Sequence, residues 1–238
     1  MNPQHLQKDF LPKELVLRLV RDIPRENYAE KISLLNKYIN EVKDTTDPDV
    51  LTVRANNEMG FIYWDAGQYE PAVRHYEKVL EVLAPPDYPF LYFHVSCMLI
   101  RCCRLIKQFE LSMKWAENTL DKLDHTDSGF EKLNVLGEYA DLLTGSGTPF
   151  NTKHLPVIDS IIRDLEFPET PADDPVQRIN LLRALNKKWN RKLGSMHLAD
   201  PEKKEELIAA LKDYAASCEI GWYKKYAEKR LHEMVNAG

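Results

Sequence analysis

Aromatic residues recur along this chain at a nearly constant interval. Tyr28, Tyr69, Phe109 and Phe150 are separated by 41, 40 and 41 residues, and each stands at or just before the start of an amphipathic stretch. The clearest copies are Gly67-Gln68-Tyr69-Glu70 and Lys107-Gln108-Phe109-Glu110. The first opens a run with Ala72, Val73, Tyr76, Val79, Leu80 and Leu83 on one side. The second, 40 residues later, opens one with Ser112, Met113, Ala116, Thr119, Leu120 and Leu123. The Phe150 copy needs one extra residue to realign its apolar side. A repeat of this length is a helical hairpin, and a lone hairpin cannot bury its own apolar face, so neighbouring hairpins must stack.

The rest of the chain agrees with an all-α protein. Asp47-Pro48, Asp174-Pro175 and Asp200-Pro201 each precede apolar residues at helical spacing. Such an aspartate can accept from the unpartnered first-turn amides, and the proline gives up an amide that had no partner. Gly194, after a periodic run ending at Leu193, suits a helix C-cap. The spacing predicts eleven helices, near residues 12–22, 25–43, 48–66, 69–83, 88–106, 109–123, 129–143, 152–165, 175–193, 201–217 and 220–236. No stretch alternates apolar and polar residues with β-branched enrichment, so no sheet is expected. Only 9 of 238 residues are glycine, which disfavours Gly-rich phosphate loops and turn-dense β folds.

Residues 53–86 resemble a tetratricopeptide repeat. The family pattern runs W-x2-L-G-x2-Y, then A-x3-F, then P. Here those positions hold Asn56, Met59, Gly60, Tyr63, Ala72, Tyr76 and Pro85, with the leading aromatic replaced and the proline one place late. The next unit, 93–126, keeps the second helix but has Ile100 and Cys103 in place of the glycine and tyrosine; a third resumes at Leu136-Gly137, followed by a loop over 144–149. The resemblance covers residues 12–165; a divergent helical-repeat protein outside the family is the alternative. It implies stacked antiparallel hairpins in a right-handed superhelix over residues 1–168, with 169–238 as a helical cap on the same array.

In that family the first helix of each repeat lines a concave groove. The resemblance therefore implies a binding surface from Arg54, Asn57, Phe61, Trp64 and Asp65, then His94, Cys97, Arg101, Arg104 and Leu105. In the third unit, aligned through Gly137, it adds Glu131, Asn134, Glu138 and Asp141. Tryptophan and arginine are frequent anchors at protein interfaces, so a peptide with an acidic residue near Arg101 and Arg104 is the expected ligand. The competing reading packs Phe61 and Trp64 against helix 25–43 and leaves both arginines solvated. The family's clamp for a peptide C-terminus is not matched, because no lysine precedes an asparagine by four residues in the first helix.

A second surface is the helix predicted over 175–193, with Arg183, Lys187, Lys188 and Arg191 opposite an apolar stripe of Ile179, Leu182, Leu185, Trp189 and Leu193. It could meet an acidic protein, RNA or a membrane surface, or simply be a solvated face. Lys plus Arg total 32 against 37 Asp plus Glu, a net charge of −5, so no global cationic field favours nucleic acid. The most apolar stretch, 90–100, is too short for a membrane span, and the first residues lack a signal-peptide pattern. Cys97, Cys102, Cys103 and Cys218 form no CxxC pair and read as reduced, mostly buried thiols of a cytoplasmic protein.

Catalytic readings are weak. His94 and Cys97 lack a second pair at zinc spacing, Glu131, Glu138 and Asp141 lie in no ligand motif, and Gly145-Ser146-Gly147 lacks the lysine of a phosphate loop. No cofactor or metal is expected. The expected function is a non-enzymatic module that captures a segment of another protein in a helical groove. The alternative is a dedicated neutraliser or chaperone of one cognate protein, such as a toxin's immunity partner; a nucleic-acid regulator and an enzyme come after it.

Overall fold

A computed structural model of the chain describes residues 3–8, 10–169, 172–197 and 204–236. Among these there is no strand. The α-helices are α1 Pro3–Leu6, α2 Lys13–Leu17, α3 Tyr28–Val42, α4 Pro48–Asp65, α5 Tyr69–Val82, α6 Pro89–Leu105, α7 Phe109–Leu120, α8 Gly129–Ser146, α9 Leu155–Leu165, α10 Pro175–His197, α11 Lys204–Ser217 and α12 Gly221–Asn236. A π-helical turn, Arg18–Asp22, continues α2.

The start signals act as their chemistry requires. Asp47 accepts from the amides of Asp49 and Val50, at 3.0 and 3.1 Å, with Pro48 in the first helical position. Asp174 accepts from the amide of Gln177 at 2.8 Å. The expected start at Asp200-Pro201 lies outside the described residues. Two expected stops are overrun. Helix α10 continues through Gly194 to His197, since one interior glycine costs a helix only about 1 kcal/mol. Helix α8 runs through Thr144, Gly145 and Ser146, so the loop begins at Gly147.

The 40-residue period is written into the backbone turns. Gly67, Lys107 and Gly147, each 40 residues from the last, all have left-handed backbones, with φ of 72°, 62° and 70°. At the first, the amide of Gln68 donates to the Tyr63 carbonyl at 2.8 Å and that of Gly67 to Trp64 at 3.0 Å. At the second, Gln108 donates to Cys103 at 2.9 Å and Lys107 to Arg104 at 3.0 Å. This paired closure satisfies the last carbonyls of α4 and α6 and reverses the chain into α5 and α7.

The chain divides into two compact units. The first is Met1–Asp127 with Asp141–Gly147; the second is Ser128–Ala140 with Thr148–Gly238. In the first unit each of α3 to α6 packs on the next, so the run ends with α6 on α7. Leu35 of α3 meets Met59 and Ile62 of α4, with Leu11, Tyr28, Ile32 and Ile39 around them. The ring of Tyr76 occupies the space that a Cβ on Gly60 would need, so α4 and α5 approach closely. Between α6 and α7 the buried Ser112 hydroxyl donates to the Ile100 carbonyl at 2.9 Å. Helix α6 is buried at most positions from Leu91 to Cys103, with His94 and Arg101 the exceptions, which explains why most of its circumference is apolar.

In the second unit α11 packs on α10 and α12, and α12 on α9. The Tyr214 hydroxyl donates to the Trp189 carbonyl at 3.0 Å. The Gly221 amide, at the head of α12, donates to the carbonyl of Glu166, which terminates α9 in a left-handed conformation.

Candidate functional site

On α4 the expected groove residues divide. The Arg54 guanidinium donates to the Lys8 carbonyl at 3.0 Å and lies 6.0 Å from the Phe10 ring centroid, so it anchors the N-terminal segment. Asn57 donates to Glu58 at 3.4 Å. Phe61 and Trp64 pack on one another, with centroids 5.7 Å apart. Helix α3 reaches α4 mainly through Met59, Ile62 and Tyr63, and Phe61 remains 41% exposed.

Phe61 borders a cavity of about 140 Å³ that sequence reasoning missed. Leu11, Val16, Leu19 and Val20 form one wall; Glu58, Phe61, Ile62 and Asp65 of α4 form another. Lys31 of α3 closes it, 5% exposed, with its ammonium 3.3 Å from Asp65 Oδ2. Burial pushes the Glu58 carboxyl above its ordinary range, against the opposing charge of Arg54 and the Asn57 hydrogen bond. A lysine in the apolar stripe Tyr28, Ile32, Leu35, Ile39 was the one available signal, because a buried ammonium requires a partner.

On α6, His94 is exposed and stacks on Phe90, with centroids 6.4 Å apart. Cys97 is buried. Arg101 is half-buried, its guanidinium 3.9 Å from Met98 Sδ. Arg104 faces Asp141, at 3.6 Å, so its charge is met by a carboxylate from the last turns of α8. Leu105 and Phe90 stay in water at the two ends of α6. The Cys103 thiol is pushed up to about 12, first by burial and then by Glu77, the reverse of what an activated nucleophile needs.

The third unit corrects the expected register. Aligning it through Gly137 made Glu138 a groove position, but Glu138 is buried, at 3% exposure. Counted from the left-handed turns, Glu138 stands 80 residues after the partly buried Glu58, and the counterpart of Phe61 and Arg101 is Asp141. Gly137 is small for a different reason than Gly60. A Cβ there would lie 2.6 Å from Nε of Arg183, so it makes room for an α10 side chain within the second unit. Glu131 is half-buried and Asn134 exposed, both within the second unit.

The basic residues of α10 are partly used within their own unit. Arg183 is half-buried against Gly137. Lys188 pairs with Glu219 at 2.7 Å and lies 4.7 Å from the Trp189 ring centroid. Lys187 and Arg191 stay exposed. No helix among the described residues is long and apolar enough to cross a membrane. Comparison of the sequence with protein-family models gives no match, and comparison with the curated proteins gives none either.

Proposed function

We propose that this chain is a cytoplasmic protein-interaction module, built as a divergent tetratricopeptide-like array whose hairpins curve into a right-handed superhelix. It holds a segment of a partner protein on the exposed side of α4 and α6. Apolar contact comes from Phe61, which lines the cavity, and from Trp64 packed on it, and polar contact from His94 and Arg101. One observation carries the reading: Phe61 and Val20, 41% and 67% exposed, leave apolar surface in water beside a mostly apolar cavity whose charged groups are Lys31, Glu58 and Asp65. Soluble proteins seldom keep such patches without a partner. None of the four cysteines is in a disulfide, which suits a reducing compartment.

The test is a Phe61→Ser, Arg101→Glu double variant of the full chain, used beside the wild type in affinity capture from its native cell. Arg104 is left in place, because reversing it would set a like charge 3.6 Å from Asp141. The expected result is loss of the proteins co-captured by the wild type, with helical content unchanged. Equal recovery by a folded variant overturns the reading.

A further inference from the structure

In the second unit, α8, α10 and α12 border an open groove of about 410 Å³. Each helix contributes two residues one turn apart: Phe130 and Asn134, Asn186 and Asn190, Trp222 and Tyr226. Buried Leu193 and Tyr223 complete the lining, and no acidic or basic side chain takes part. Trp222 is 39% exposed. Its ring lies parallel to that of Tyr226, with centroids 5.7 Å apart, and is met edge-on by Phe130 at 4.7 Å. The Tyr223 hydroxyl donates to Asn186 Oδ1 at 2.8 Å, which fixes that amide and leaves its two N–H donors on the other side. Asn134 and Asn190 are exposed, and nothing among the described residues holds their amides.

Two ladders thus border one groove, amides on α10 and aromatic rings on α12. A helical turn of four residues advances about 6 Å. Two residues of an extended chain advance about 6.6 Å. A side-chain amide carries the same donor and acceptor as a peptide unit, so asparagines one turn apart can meet alternate peptide groups of an extended segment. The rings are spaced to take that segment's alternate side chains. With no counter-ion in the lining, a charged side chain entering the groove would lose water without compensation.

We propose that this groove binds an extended peptide segment, uncharged where it lies in the groove, with apolar side chains at alternate positions. This site is separate from the α4–α6 surface and stands without it. The probe is a display library of random twelve-residue peptides selected on the full chain. Recovered peptides are then synthesised and titrated calorimetrically against the wild type, an Asn134→Ala, Asn190→Ala double variant, and Arg101→Glu. Both asparagines are exposed, so the double variant keeps the wild-type thermal midpoint. The expected peptides carry apolar residues two apart with no charge between them. They bind the double variant about tenfold more weakly, the scale of one or two net hydrogen bonds, and bind Arg101→Glu as tightly as wild type. Recovery of no peptide overturns the proposal, as does equal affinity for the double variant. Binding of chitotriose or cellotriose in place of peptides also overturns it and makes the groove a sugar site.

Discussion

The Tyr76 ring lies where a side chain on Gly60 would begin: a Cβ there would be 2.6 Å from Tyr76 Cε1 and 2.8 Å from Cδ1. Tyr76 is fully buried, so the ring has little room to retreat. Gly60→Ala should therefore destabilise the first unit. Overpacking of this kind costs about 1–3 kcal/mol, against about 1 kcal/mol regained from helix propensity. Forty residues on, the same two positions hold Ile100 and Ala116, both buried, with the large and small partners exchanged. Transplanting that pair as Gly60→Ile with Tyr76→Ala should cost less than the sum of the two single changes. A urea-unfolding cycle on the four proteins measures the difference; simple additivity would show that the ring does not confine Gly60.

Lys107 occupies a left-handed turn position that Gly67 occupies in the preceding hairpin. An L-residue pays about 1–2 kcal/mol for this conformation, whereas glycine accepts it at a smaller entropic cost. Lys107→Gly should stabilise the chain by about 0.5 kcal/mol. Gly67→Ala should destabilise it by about 1 kcal/mol, with conformation the only cause, since nothing lies within 4 Å of its added Cβ. Denaturant midpoints of the two variants should move in opposite directions; a shift in the same direction refutes the equivalence of the turns.

Those turns show why the helices were readable and part of the surface was not. Cap residues and recurring aromatics act within a few positions of themselves, so Asp47, Tyr69 and Phe109 mark boundaries in the chain alone. Gly137 misled because a glycine states that something comes close without stating what. At Gly60 the neighbour is Tyr76 of the next helix; at Gly137 it is Arg183, 46 residues away. The resulting slip of three residues put buried Glu138 among exposed positions. The Lys31 cavity depends on where the segment carrying Val16 and Val20 lies against α4, and no local rule places it. The groove of paired asparagines and rings joins three helices from distant parts of the chain.

His75 should give the first unit a dependence on pH. Its Nδ1 lies 2.8 Å from Asn56 Oδ1, and its ring stacks on Tyr63 with centroids 5.4 Å apart. Burial lowers its pKa below the ordinary value of 6.5, helped by the positive charges of Lys78 and Arg74. The unfolded chain then takes up a proton near pH 6.5 that the folded chain still refuses. Stability is therefore fully present above that pH, declines as pH falls toward the folded value, and levels off below it. His75→Gln keeps a hydrogen-bonding side chain beside Asn56 but cannot titrate. Urea unfolding of both proteins at pH 7.5 and 5.5 should show a smaller loss for the variant. An equal loss in the two would assign the pH dependence to other groups and leave His75 a packing residue.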